Sequence, residues 1–195
     1  MPRPALPALP RRASTLVALA VLIAVFLAPG ANAQTVADER PVTVIIARHA
    51  ERATTDPRDP PLAENGWLRA AALRDAIRDA GVTAVYVTQY RRTAETAEPI
   101  AGQLGLTPIV LGSAGDVAAH AAEVAATLLA RHRGEVVLVV GHSNTIGAIA
   151  RALGGEAPAS LEDGDYDNLY VVTADGRGPA RIVRARYGPP NPDGP

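Results

Sequence analysis

The chain contains no cysteine, so neither a disulfide nor a lipid-modified cysteine can hold or anchor it. Its stability has to come from an ordinary apolar core. Lysine is also missing, and all 19 basic residues are arginine, a bias with little mechanistic content. Aromatic residues are scarce, with one Trp and one Phe among 195 residues. No apolar run is long enough to span a bilayer. The longest, Leu16 to Ala28, has about 13 residues against the roughly 20 required.

That short run has another meaning. Arg3, Arg11 and Arg12 precede it and Ala31-Asn32-Ala33 follows it, giving the basic, apolar and small-x-small regions of a secretory signal peptide. The expectation is a signal peptide over 1–33, cleaved after Ala33, and a secreted or periplasmic product. Retention as an anchor is the alternative. A lead-in over 34–41, one domain over 42–187 and a disordered Gly/Pro-rich tail over 188–195 complete the expected organisation. Removing the three leader arginines leaves 16 basic residues against 20 acidic ones, a net charge of about −4. That balance gives no support for binding nucleic acid, or a membrane after cleavage. Oligomeric state has no signal in the sequence.

Apolar and amphipathic stretches alternate along the rest of the chain. Val42 to Ala47 reads as a buried strand, and Ala63 to Ala80 as a helix closed by Gly81. Ala84 to Thr88, Pro108 to Leu111 and Val136 to Val140 read as further strands. Between and after them, helices are expected over Arg91 to Leu104, from Val117 to near Arg131, and over Thr145 to Leu153. Leu169 to Thr173 and Ala180 to Tyr187 form an expected hairpin at the sheet edge. Repeated βα units point to a three-layer α/β/α sandwich with a mainly parallel sheet.

Three of the strand ends carry similar chemistry. The first runs into Arg48-His49, the second into Arg91-Arg92 at a helix start, and the fourth into Gly141-His142-Ser143-Asn144. Parallel neighbours bring such ends to one crevice. Guanidinium groups grip phosphoryl oxygens, and a neutral imidazole can attack phosphorus. The convergence is therefore read as a phosphate site, although a strand-end Arg and His facing solvent would be the ordinary reading of either pair alone.

Arg48-His49-Ala50-Glu51 resembles the Arg-His-Gly-Glu signature of the histidine phosphatase superfamily, the phosphoglycerate-mutase-like fold. Thr88 to Ala97 resembles its second block and singles out Arg92. Val139 to Asn144 resembles the block with its second histidine, and Pro61-Leu62 to Arg69-Ala70 its helix start. The resemblance implies a phosphatase acting on small phosphorylated substrates through phosphohistidine on His49. Arg48, Arg92 and His142 would hold the phosphoryl oxygens, with Ser143, Asn144 and Arg52 beside them. It implies no metal and no cofactor.

The proton donor departs from the family pattern. Acid-phosphatase relatives carry Asp after the second histidine, where this chain has Ser143. The mutase branch takes a Glu from an insertion after the third strand, which here is only Gly112 to Asp116. Asp116 is the first candidate acid, with helix capping its competing role. Glu51 is the second. The short insertion implies an open site and argues against a mutase. The mutase and a weakly catalytic phosphate- or phosphoprotein-binding module are the competing readings. Glu162 to Asn168 forms an acidic loop whose spacing fails for calcium, leaving a solvated lead-in or a rim that selects substrates. Arg58 is a further candidate contact for an anionic group. His120 and His132 are expected at the surface, and Trp67 in packing.

Overall fold

The computed structural model describes residues 40–113, 115–158 and 160–191. The expected signal peptide over 1–33, residues 34–39 of the expected lead-in and residues 192–195 of the expected tail lie outside the described residues. Among the described residues no helix is long and apolar enough to cross a membrane.

Ten elements follow in order: β1 (Val42–Arg48), α1 (Glu64–Ile77), β2 (Val82–Val87), α2 (Arg91–Leu104), β3 (Ile109–Val110), α3 (Val117–Arg131), β4 (Val136–Gly141), α4 (Ile146–Ala152), β5 (Asn168–Ala174) and β6 (Arg181–Arg186). The six strands form one sheet in the order β3-β2-β4-β1-β5-β6. The first four run parallel. β5 joins β1 antiparallel and β6 pairs antiparallel on the outside, so the expected hairpin does lie at the edge.

β1 explains the layering. A parallel strand buried on both faces reads as a continuous apolar run. Successive side chains then point to opposite faces. Val42, Val44 and Ile46 pack with Val124 and Leu128 of α3 and Ile149 of α4. Ile45 and Ala47 pack with Leu73 and Ile77 of α1 and Ile100 of α2. Two apolar layers thus enclose one sheet.

The β1–α1 connection closes on itself through Arg52 opposite Leu62 and the Ala53 N–H donating to the Pro61 carbonyl at 2.8 Å. Helix α1 then presses so closely on this loop that a Cβ at Gly66 would collide with the Glu51 carbonyl oxygen. Only glycine fits there.

Four expectations need correction. His120 is buried, because it stands four residues before Val124 on the stripe that α3 turns to the sheet. His132 caps the C-terminus of α3 and is half-buried, with Nε2 2.8 Å from the Tyr86 hydroxyl and Nδ1 2.7 Å from the Glu135 carboxylate. Residues 188–191 are not frayed. The Pro189 carbonyl accepts from Arg69 at 2.9 Å, and the Asn191 amide donates to the Asp167 carboxylate at 2.9 Å. Trp67, expected in packing, is instead exposed on α1, as is its neighbour Leu68.

Candidate active site

The carboxyl ends of β1, β2 and β4 open into one cleft of about 480 Å³. Arg48, His49, Arg52, Arg92, His142, Ser143 and Asn144 all line it. The parallel register does this directly, since Arg48 stands beside Gly141 and the His49 N–H donates to the Gly141 carbonyl at 2.9 Å. The two imidazoles lie with ring centroids 5.3 Å apart.

His49 is buried, and its Nδ1 is 2.8 Å from the Ala50 carbonyl oxygen. A carbonyl can only accept, so Nδ1 carries the proton and Nε2 keeps a free lone pair. Burial, reinforced by His142, Arg92 and Arg48, pushes its pKa down to about 3. The nucleophilic form is therefore the resident one at neutral pH.

His142 Nε2 lies 3.0 Å from Thr88 Oγ1, and Nδ1 lies 3.4 Å from Arg92 Nη2. Guanidinium only donates, so the neutral ring presents its Nδ1 lone pair to Arg92 and its Nε2–H to Thr88. Burial and the Arg92 charge push this pKa down to about 4. A bound dianion would act in the opposite direction. Gly141 permits the tight turn that follows, because a Cβ there would meet Thr145 Oγ1 at 2.8 Å, the atom that accepts from the His142 N–H.

The two guanidinium groups are held differently. Arg48 Nη1 donates to the carbonyls of Glu162, Asp163 and Asp165 at 2.7, 3.0 and 3.3 Å, and the group stacks 4.1 Å from the Tyr166 ring centroid. Arg92 stacks on Tyr90 at 4.3 Å and lies 3.8 Å from the Asp59 carboxylate. Burial lowers both arginine pKa values, yet guanidinium stays charged at any working pH.

Two lowered imidazole pKa values have a consequence for stability. The unfolded chain titrates these histidines near 6.5, so on acidification it binds protons before the folded chain does. Their contribution is complete above about pH 6.5 and is lost as pH falls toward 4 for His142 and 3 for His49. Urea unfolding should show stability falling by up to about 1.4 kcal/mol per pH unit for each imidazole. His142→Asn should remove about half of the combined slope of the two imidazoles between pH 4 and 6.5. An unchanged slope would place the acid sensitivity elsewhere.

The sequence matches the family model described as histidine phosphatase superfamily (branch 1) over residues 44–113 and 112–185. The chain belongs to that superfamily. Its phosphoglycerate-mutase-like fold is shared with solved structures at low identity. The protein histidine phosphatase SixA, complexed with tungstate, is 23% identical with a TM-score of 0.60, covering 74% of this chain and 96% of that chain. A mycobacterial glucosyl-3-phosphoglycerate phosphatase is 16% identical with a TM-score of 0.61, covering 76% and 100%. Bacillus stearothermophilus YhfR is 21% identical with a TM-score of 0.58, covering 73% and 95%. No curated protein matches the sequence.

In this histidine phosphatase superfamily member, neither sequence-nominated acid lines the cleft. Glu51 is a correction. Its two carboxylate oxygens accept from Arg69 Nε at 2.9 and 3.0 Å, and Oε1 also accepts from Nη2 at 2.8 Å. A carboxylate clamped in this way is a structural anion. Asp116 accepts from the Ala118 N–H at 2.8 Å as the N-cap of α3, although its neighbours Gly115 and Val117 do line the cleft. Arg58 is exposed in the β1–α1 loop and is not part of the lining. Tyr90, Ser113, Thr145 and Asp163 line the cleft without having been singled out from the sequence. Tyr90 carried a signal, as the residue preceding Arg91-Arg92. Asp163 was visible only as part of an acidic loop.

Proposed function

We propose that the chain is an exported phosphatase that hydrolyses phosphomonoesters through a phosphohistidine on His49. The observation that carries the reading is the free Nε2 lone pair of a buried neutral His49 in a cleft with Arg48, Arg92 and His142. Nε2 attacks phosphorus, a P–N bond forms, and the P–O bond to the leaving group breaks with its electron pair on oxygen. Water then attacks the phosphohistidine, releasing phosphate and restoring the lone pair. Arg48 and Arg92 stabilise the charge spread over the phosphoryl oxygens in both steps. His142 becomes cationic when the dianion is bound and then donates from Nδ1. Ser143 and Asn144 on the lining, with Arg52 at its exposed edge, supply further contacts to the substrate. Export rests on the leader pattern of residues 1–33. SixA bound to tungstate and the mycobacterial phosphatase bound to inorganic phosphate support a small phosphorylated substrate.

The test is turnover of a generic aryl phosphate by the chain from Gln34 onward, with an acid-labile, alkali-stable phosphoenzyme trapped on quenching. A chain that neither turns over nor labels would end the reading.

We assign the leaving-group proton to Asp116, whose neighbours Gly115 and Val117 line the cleft although its own carboxylate caps α3. Asparagine caps a helix about as well as aspartate, so Asp116→Asn keeps the cap and removes the acid. It should slow alkyl phosphates about a hundredfold while changing activated aryl phosphates less than about threefold. Equal effects on both would remove Asp116 from that role.

A further inference from the structure

Asp163 supplies the one carboxylate side chain among the described residues lining the cleft. It stands on the loop between α4 and β5, and that loop is fastened at several points. The Leu161 N–H donates to the Ser143 carbonyl at 2.9 Å. Arg48 holds the carbonyls of Glu162, Asp163 and Asp165. The Tyr166 N–H donates to Asn191 at 3.1 Å. The backbone of residue 163 is therefore pinned to the phosphate-facing arginine, while its side chain is fully exposed on the cleft side, with Oδ1 3.9 Å from Arg48 Nη2. An exposed ion pair at that distance contributes little to stability. What remains is the effect of the charge on whatever enters.

Every other charged group on the lining is cationic or an imidazole: Arg48, Arg52, Arg92, His49 and His142. These suit a phosphoryl dianion at the cleft floor. A second negative charge on a leaving group at the cleft mouth would be repelled by the exposed Asp163 carboxylate. We infer that Asp163 sets the charge class of the substrate, favouring phosphomonoesters whose leaving portion is neutral or carries an ammonium group over those bearing a carboxylate or second phosphate. This rests on the phosphatase reading. Arg52 is the opposing influence, since an exposed guanidinium on the same lining would favour a second anion.

The test uses three aryl phosphates matched in leaving-group acidity, with a methyl, aminomethyl or carboxymethyl substituent on the ring. The wild type should rank them by kcat/KM as ammonium, then neutral, then carboxylate. Asp163→Asn should compress the ammonium-to-carboxylate ratio about tenfold, and Asp163→Glu should restore it. Raising salt should compress the wild-type ratio in the same direction. A wild-type preference for the carboxylate, or a ratio unchanged in Asp163→Asn, overturns the inference. Binding of the three esters to His49→Ala is measured in parallel. The same order of affinity without turnover by the wild type would keep the charge selection and remove the phosphatase reading. No order in either measurement removes both.

Discussion

His49→Ala is expected to lower kcat on an aryl phosphate by at least about ten-thousandfold, because it removes the nucleophile on which the proposed phosphoenzyme forms. His142 is the nearest competitor and is badly placed for the task. Its Nδ1 faces Arg92 at 3.4 Å, and its Nε2–H is committed to Thr88 at 3.0 Å. The labelled intermediate should vanish in the variant. Affinity for inorganic phosphate should change less than about tenfold, since Arg48 and Arg92 carry most of the charge interaction. That split between turnover and binding is diagnostic. A variant that loses phosphate binding and turnover together would indicate a collapsed site, and one that hydrolyses as fast as wild type would remove His49 from the chemistry.

Arg69→Met should be the most damaging substitution for stability. Arg69 is fully buried, and besides clamping Glu51 its Nη1 donates to the carbonyls of Tyr187 and Pro189 at 3.3 and 2.9 Å. Truncating it leaves a largely buried carboxylate with no counter-charge, a change that costs about 3–5 kcal/mol. Domains of this size have only about 5–15 kcal/mol in total. Removing both partners should cost much less than removing one, because an apolar pair of similar volume often substitutes for a buried ion pair. Urea unfolding of Arg69→Met, Glu51→Leu and the double variant measures this directly. If the first single variant does not fold, recovery of folding in the double variant carries the same information. Full additivity of the two single losses would show that the pair is not a unit.

The parts of the site that lay within a few residues of a strand end were legible in the sequence. An apolar strand followed by a charged pair has few places to put that pair, and the parallel sheet then aligns Arg48, Arg92 and His142 without further information. The acid candidates were less legible, for a physical reason. Glu51 belongs to the signature by position, yet its partner is Arg69, which is brought to it only when α1 packs over the loop at Gly66. Helical periodicity located α1 without saying that its arginine points inward. His120 shows the same limit, since a polar residue on an apolar stripe is buried by its neighbours' preferences. The grip of Arg48 on the loop before β5 spans more than a hundred residues and leaves no local pattern at all.

That grip reaches the last residue that the structure describes. Asn191 is hydrogen-bonded to Asp165 and to the Tyr166 backbone, and the Asp165 carbonyl is held by Arg48. A purification tag fused just beyond Asn191 would therefore adjoin a contact that leads, in two hydrogen bonds, to the Arg48 guanidinium on the cleft lining. The practical choice of tag position is part of the chemistry.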